Sequence, residues 1–476
     1  MRSAYDSQQV SDAEQVLLDR LPDGALMQRA ATRVAAVCAR LIGRVYGSRV
    51  LLLVGSGNNG GDALFAGAFL AARGARVDAL LLSDTVHEEG LAALRRAGGR
   101  VIKDLPSADA AWVADLVVDG ILGIGGRGGL RDRAADVIAH LPDDALVVAV
   151  DVPSGVDAST GEVTGVAVQA DVTVTFGALK TGLLVDPGAA RAGVVELVDL
   201  GLDLPEAMVE VLQADDVARL LPRAGRESDK YRRGVVGVAA GSEQYTGAAV
   251  LCVGGAVRGG AGMVRYVGSD APTALVRSRW PEVVVGEGRV QAWAVGSGGG
   301  GDAEARLERA MADGVPVAVD ADALTGLPAL EDRRGRPVPL LLTPHAGELG
   351  RLLGADRHDV EARRLHHARA AARDLDAVVL LKGSTTVVAR PDGRVRVNPT
   401  GTPALATAGT GDILAGLCGA LLAGGLDPFD AGSVAAWLHG QAGRLAADGG
   451  TPVSASEVLD ALPRAVAAVA AVGARR

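Results

Sequence analysis

The chain of 476 residues is short of cysteine, of aromatic side chains and of lysine, and each shortage excludes something. Its three cysteines, Cys38, Cys252 and Cys418, are odd in number and far apart, so they form no disulfide framework and suit a reducing cytoplasm. The longest apolar stretches, such as Ala465–Val472, fall short of the roughly 20 residues that span a bilayer, so no membrane partner is expected. The segment from Met1 to Gln15 lacks the apolar core of a secretory signal. Aromatic residues make up only 3%, and the formal charge of −9 is spread along the chain without a basic stretch. No footprint for a nucleic acid backbone is present, which leaves small ligands as the expected partners. Of the 48 basic residues only four are lysine: Lys103, Lys180, Lys230 and Lys382. Arginine serves here as the ordinary surface cation, so a retained lysine marks a place where a compact ammonium does what a planar guanidinium does not.

What is present is a globular balance, 49% hydrophobic and 22% charged, at a length that predicts two domains. A helix is expected from Asp12 to Ile42, followed by strands at Val50–Val54, Arg76–Leu82, Leu116–Asp119, Leu146–Asp151, Val172–Phe176 and Val194–Val198. Their near-continuous Val/Leu runs fit a parallel sheet covered on both faces. A polar, proline-containing stretch from Leu202 to Tyr231 interrupts the rhythm and sets the expected domains at residues 1–215 and 216–476. The alternation restarts with strands Val235–Ala239, Met263–Val267, Ala292–Val295, Val317–Val319, Leu340–Leu342 and Val378–Lys382. Helices are expected at Thr246–Val257, Asp302–Ala312, Asp412–Ala423 and Asp430–Ala447, with a hairpin around Pro391-Asp392-Gly393.

In the first half, strand Val50–Val54 runs into Gly55-Ser56-Gly57-Asn58-Asn59-Gly60-Gly61-Asp62. A glycine-dense turn from strand to helix lets backbone amides approach a phosphate; a plain tight turn is the alternative. Two further strand ends, Asp119 to Gly126 and Asp151-Val152-Pro153-Ser154-Gly155, converge on the same crevice in a parallel sheet. Asn59, Asp119 and Ser154 offer hard oxygen ligands for a cation, and no Cys/His cluster supports a transition metal. Asp119 and Asp151 could equally cap helices. Lys180, in Phe176-Gly177-Ala178-Leu179-Lys180-Thr181-Gly182, would form an acid/base pair with Asp151 if the two are close, or serve as a surface cation if they are not.

In the second half, Ala406-Thr407-Ala408-Gly409-Thr410-Gly411-Asp412 opens an apolar helix. Amides there can hold phosphate oxygens, while Asp412 can take a proton from a substrate hydroxyl or merely cap the helix. Leu381-Lys382-Gly383-Ser384-Thr385-Thr386 ends a strand with a rare lysine and three hydroxyls. Other strand ends carry Tyr245-Thr246-Gly247-Ala248, Gly296-Ser297-Gly298, Asp320-Ala321-Asp322 and Thr343-Pro344-His345-Ala346-Gly347-Glu348. A lone histidine is more often structural, but His345 sits at a strand end between proline and small residues, facing the crevice.

The loops of the first half together resemble the NAD(P)H-hydrate epimerase family from about Asp12 to Leu202. The resemblance implies a Rossmann-like αβα domain that interconverts the R and S forms of hydrated NADH and NADPH and uses potassium. It implies substrate contacts at Asn58, Asn59, Gly60, Gly61, Asp62, Gly123, Ile124, Gly125, Gly126, Arg127, Gly128 and Gly129. Asp151 would lie at the damaged ring with Lys180 as its helper, and K+ would sit on Asn59, Asp119 and Ser154. Ala63 departs from the family, which usually has glycine there. The second half, from about Asp229 to Arg464, resembles the ribokinase-like ADP- or ATP-dependent NAD(P)H-hydrate dehydratases, a three-layer αβα fold. Here the resemblance implies substrate contacts at Ala248, Gly298, His345 and Asp412. It places ADP or ATP, with Mg2+, on Lys382, Gly383, Ser384, Thr385, Thr386 and Gly411. Departures include Gly296-Ser297-Gly298-Gly299-Gly300 for GPGLG and Ala346 for proline. A homo-oligomer is also expected.

The chief rival reading is a ribokinase-like small-molecule kinase, since the same aspartate and anion-binding turn would serve phosphoryl transfer. Under it, the first half would be a regulatory module that binds nucleotide without turning it over.

Overall fold

The computed structural model describes residues 1–103, 114–126, 128–130, 132–141, 144–223, 225–327 and 338–473, so Arg127 lies outside the described residues. The chain divides into two compact units, Ser3–Met208 and Val209–Arg476, the latter joined by Met1 and Arg2.

The first unit contains β1 (Arg2–Tyr5) from Ser3 onward, β2 (Arg49–Val54), β3 (Arg76–Leu81), β4 (Arg100–Ile102), β5 (Leu116–Gly120), β6 (Leu146–Val150), β7 (Val172–Phe176), β8 (Leu179–Lys180) and β9 (Val194–Val198). Seven of them form one parallel sheet, ordered β4-β3-β2-β5-β6-β7-β9. The central strands β2, β5 and β6 read as near-continuous Val/Leu runs because both faces are covered. Leu52, Val54, Val118, Val148 and Val174 pack on one side with the helices Ala25–Ile42 and Asn58–Ala72. Leu51, Leu53, Val117 and Ala149 pack on the other with Ala134 and Val137 of the helix Asp132–Ala139. Alternate residues of one strand thus feed two separate cores, which gives three layers.

The expected single helix Asp12–Ile42 is two helices, Ser7–Leu18 and Ala25–Ile42. Pro22-Asp23-Gly24 separates them, with Gly24 at φ 73°, a conformation that ends helical continuity. Asp6 starts the first helix with a capping box: its side chain accepts the Gln9 N–H at 2.8 Å while the Gln9 side chain accepts the Asp6 N–H at 3.1 Å. The short strands β1 and β8 pair in parallel, with Tyr5 opposite Lys180.

The second unit contains β10 (Val209–Val211), β11 (Val235–Ala239), β12 (Met263–Tyr266), β13 (Val284–Val285), β14 (Ala292–Val295), β15 (Val317–Val319), β16 (Leu340–Leu342), β17 (Val378–Leu381), β18 (Thr386–Ala389) and β19 (Val395–Asn398). The order is β13-β12-β11-β14-β15-β16-β17-β18-β19-β10. All pairings are parallel except those of β18, whose hairpins with β17 and β19 are antiparallel. Val209 of β10 pairs with Val395, so this unit begins at Val209 rather than at the expected residue 216, and it takes in β10 and the whole helix Ala214–Leu220. The helices Thr246–Arg258, Thr410–Ala423, Pro428–Ala446 and Ala455–Gly473 pack one face through Val236, Val238, Ala294, Leu341 and Leu380. The helices Ala303–Ala312 and Arg364–Asp374 pack against the sheet as well. Each unit is an αβα sandwich, and the candidate ligand loops gather at the C-terminal ends of the parallel strands.

Candidate functional site

In the first unit the turn after β2 is built from backbone pressed on backbone. A Cβ on Gly55 would lie 1.9 Å from the Ile121 carbonyl oxygen, and one on Gly60 would lie 2.3 Å from that of Gly55. Glycine is required at both positions by close approach. Ala63 is fully buried, and a Cβ on Gly120 would lie 2.5 Å from its methyl, so the departure from glycine at residue 63 is accommodated by a glycine on the facing strand.

Asp119, at the end of β5, is fully buried. It accepts the Ser154 hydroxyl at 2.6 Å, the Ser154 N–H at 2.8 Å and the Ile121 N–H at 3.2 Å. Burial pushes its carboxyl up to about 6 against the pull of the Ser154 hydrogen bonds. No cationic side chain bridges to it among the described residues. Asn59 is also buried, its Nδ2 without a partner, and a Cβ on Gly123 would come 3.1 Å from its Oδ1.

Asp151 has φ 69°, left-handed backbone that an aspartate adopts at a cost of about 1–3 kcal/mol. Its Oδ1 accepts from Lys180 Nζ at 2.6 Å and its Oδ2 from the Ile124 N–H at 3.2 Å. Lys180 is fully buried and also donates to the Thr175 hydroxyl at 3.1 Å and the Phe176 carbonyl at 2.7 Å. All three donor positions are occupied, so the ammonium is fixed.

A cleft of about 530 Å³ opens beside this group, lined by Asn58, Asp62, Phe65, His87, Met27 and Glu14 among others. Asn59, Gly60 and Gly61 are buried beneath it in the same helical turn. Of the second loop, Gly125 and Gly128 leave space open where a Cβ would stand, and a Cβ on Gly129 would meet the Thr164 carbonyl at 2.2 Å. Gly123, Ile124, Gly125, Gly126, Gly128, Gly129 and Asp151 are not among the residues lining the cleft.

In the second unit, Gly409 at φ 91° turns the chain into the helix Thr410–Ala423. The Thr410 hydroxyl ties the turn down by donating to the Leu405 carbonyl at 2.8 Å. Asp412, in the first helical turn, is pushed up to about 7, chiefly by burial and then by the nearby Asp320, against the pull of Lys382. A Cβ on Gly411 would lie 3.5 Å from Lys382 Nζ, which places that ammonium at the helix N-terminus. Lys382 donates to Asp320 at 2.8 Å and stands 3.7 Å from Glu348. Burial works against its charge, but Asp320 and Glu348 outweigh burial and hold it above the usual lysine value. Asp320 is buried and accepts in addition from Ser297 at 2.9 Å and Thr343 at 2.8 Å.

His345 caps the helix Ala346–Leu353: its Nδ1 accepts the N–H groups of Gly347 at 3.0 Å and Glu348 at 3.2 Å. Burial holds the ring below the usual histidine value against the pull of Glu348. Gly298 has φ 57°, and a Cβ there would lie 2.7 Å from the methyl of Ala248, so these two residues form one narrow seam.

A second cleft, of about 500 Å³, is lined by His345, Lys382, Gly383, Ser384, Thr386 and Gly411, together with Asn398 and His439. Thr385, Ala248, Gly298 and Asp412 are not in its lining. Sequence reasoning missed four residues. Arg364 is buried and braces the loop by donating to the Lys382 carbonyl at 2.8 Å. His439 is buried with Nε2 unpartnered, its ring lowered to about 4 by burial. Asn398 ends β19, and Glu14 lies on the N-terminal helix. Glu14 alone carried a legible signal, its position four residues after the apolar Val10.

Comparison with known proteins agrees with both halves. Residues 236–464 match the NAD(P)H-hydrate dehydratase family and residues 23–182 match the family described as YjeF-related protein N-terminus. The chain is 47% identical, over 98% of its length and 100% of the relative, to the bifunctional NAD(P)H-hydrate repair enzyme of Mycobacterium leprae. It is 37% identical to the enzyme of the same description from Moorella thermoacetica, over 95% of this chain and 96% of that one. Among solved structures, the ADP/ATP-dependent NAD(P)H-hydrate dehydratase of Bacillus subtilis, co-crystallised with ATP/Mg2+, superposes with a TM-score of 0.51 at 32% identity, covering 54% of this chain and 98% of that one. With such identity sustained over almost its whole length, the chain belongs to the family of bifunctional NAD(P)H-hydrate repair enzymes.

Proposed function

We infer that this chain repairs hydrated NADH and NADPH in two steps. The first unit interconverts the R and S hydrates, and the second dehydrates the S form at the expense of ADP or ATP. The observation that carries the reading is Asp412: a carboxylate raised to about 7 in the first turn of the helix Thr410–Ala423, beside Lys382. A base near neutrality suits removal of a hydroxyl proton. Phosphate oxygens are drawn to the open amides of the turn and to the ammonium.

In the proposed sequence the ring hydroxyl gives its proton to Asp412, and its oxygen attacks the terminal phosphorus of the nucleotide. With ADP, AMP leaves. The C–O bond then breaks and carries its electron pair away as phosphate, and loss of the neighbouring ring proton restores the dihydronicotinamide. Mg2+ enters with the nucleotide as its complex. Lys382, Gly383, Ser384, Thr385, Thr386 and Gly411 hold the nucleotide in this proposal, and Ala248, Gly298 and His345 contact the hydrate. With its Nδ1 taken by the cap amides, His345 would offer Nε2 to the hydrate.

In the first unit the proposal places the hydrate on Asn58–Asp62 and the Gly123–Gly129 loop, with Asp151 at the damaged ring and Lys180 holding it. Asn59, Asp119 and Ser154 would hold K+. A fully buried carboxylate bonded to a hydroxyl, with no cationic side chain on it among the described residues, fits an alkali cation, and the buried Asn59 would add an amide oxygen. The cation would supply the positive charge that Asp119 lacks. No described helix is long and apolar enough to cross a membrane. The three buried free thiols suit the proposed cytoplasmic setting.

The test is recovery of dihydronicotinamide absorbance from a mixture of R and S hydrated NADH, with ADP, with ATP and with neither. Recovery of the whole mixture, faster than spontaneous epimer exchange allows and dependent on nucleotide, supports both steps. A stable phosphorylated product instead would establish the kinase reading.

A further inference from the structure

The cleft of the first unit holds a carboxyl that the glycine-rich loops do not supply. Glu14 stands on the inward face of the helix Ser7–Leu18, following buried Val10 and Ala13, and with Leu18 one turn further on it lines the cleft. It is half-buried and makes no hydrogen bond or ion pair among the described residues. Asp62 lines the same cleft, is 9% exposed, and has an Oδ1 with no partner. Two carboxyl groups turned toward one cavity, neither neutralised by a neighbour, are costly unless something enters to use them.

We propose that Glu14 is a further catalytic residue of the epimerase site, the group that exchanges a proton with the ring hydroxyl of the hydrated nucleotide. The proposal rests on the epimerase reading given above. In one direction, Glu14 gives its proton to the hydroxyl. The C–O bond breaks and its electron pair leaves with water, while the ring nitrogen's lone pair forms a C=N+ bond. A water molecule then adds to the opposite face, the C=N pair returns to nitrogen, and the entering water gives its surplus proton to Asp151. In the reverse direction the two carboxyls exchange roles, so Glu14 must both donate and accept.

The surroundings match that requirement. Burial raises the Glu14 carboxyl to about 7, Lys180 opposing the rise and Asp151 adding to it. Asp62 is likewise raised well above its ordinary value, by burial, by Asp151 and by Glu14. Asp23, His87, Glu88 and Glu89 are the other charged or titratable groups lining the cleft. A group near neutrality transfers protons in both directions with the least penalty.

The experiment follows conversion of purified R hydrate to S by chiral chromatography, with full-length protein, no nucleotide, and the spontaneous rate subtracted. Glu14→Gln lowers kcat about 100-fold. KM changes little, and ADP-dependent dehydration of pure S hydrate is unaffected. The wild-type rate falls as pH rises through about 7, where the donor form is lost, and the residual Glu14→Gln rate lacks that limb. Glu14→Asp restores part of kcat and keeps the limb, and serves as the test if Glu14→Gln does not fold. In water enriched in oxygen-18 the S product carries the label. Wild-type protein that leaves the R hydrate unchanged overturns the epimerase reading itself. Epimerisation by Glu14→Gln at the wild-type rate overturns the assignment of Glu14 alone, and unlabelled product overturns the water-exchange step.

Discussion

Lys180 Nζ lies 2.6 Å from Asp151 Oδ1, and the lysine side chain is fully buried. A chain that otherwise writes its cations as arginine keeps a lysine here because the space admits one ammonium between a carboxylate, a hydroxyl and a carbonyl. Replacing Lys180 with Met leaves Asp151 charged, buried and unpaired. The first unit should lose about 3–5 kcal/mol. Denaturant unfolding of the variant checks this, and Asp151→Asn added to Lys180→Met should recover part of the loss.

Asp412 ties stability to pH with a definite sign. Its folded value of about 7 lies above the ordinary 3.8, so the folded state binds the proton more tightly than the unfolded one. Stability from this group is therefore full below pH about 4 and declines as pH rises toward about 7. Asp412→Asn removes the penalty. The variant should be more stable than wild type at pH 8, by on the order of 1–4 kcal/mol, and equal to it near pH 3. It should retain nucleotide binding and lose ADP-dependent repair, and wild-type turnover should fall as pH drops below about 7.

His345 joins a helix cap to a cleft. His345→Ala should cost about 1 kcal/mol through the lost cap. His345→Asn, whose side-chain oxygen can also cap, should keep the melting temperature while KM for the hydrate rises several-fold. If Asn raises KM no more than it shifts stability, the histidine is a cap alone.

The cation reading makes a thermal prediction. Titrating KCl, at ionic strength held constant with a bulky organic cation, should raise the melting temperature of the first unit and its epimerase rate together. Asp119→Asn should abolish both effects. Equal responses to K+ and to the organic cation would refute a specific site.

Much of this architecture was legible because parallel strands buried on both faces write themselves as Val/Leu runs, as in Arg49–Val54 and Leu146–Val150. What escaped was structure that sequence periodicity does not encode. Leu179–Lys180 and Val284–Val285 are two-residue strands defined only by their partners. Pro22 and Gly24 split a helix whose apolar pattern continues across them. The loops announced Asn58–Asp62 and Asp412 through glycine spacing. Glu14 left only a fainter mark, its place one turn after the apolar Val10, because a glutamate on a polar helix ordinarily faces water. Arg364 and His439 stay hidden for a similar reason: they act on ligand loops from helices distant in sequence.

The buried cysteines carry a practical consequence. Cys38 is packed in the core of the first unit, Cys252 and Cys418 in that of the second, and burial raises all three thiols, Cys38 to about 12. A thiol reagent meets none of them until the surrounding core opens. The native chain therefore contains its own pair of opening clocks. Mass-resolved alkylation would time the first unit through one adduct and the second through two, without an engineered label.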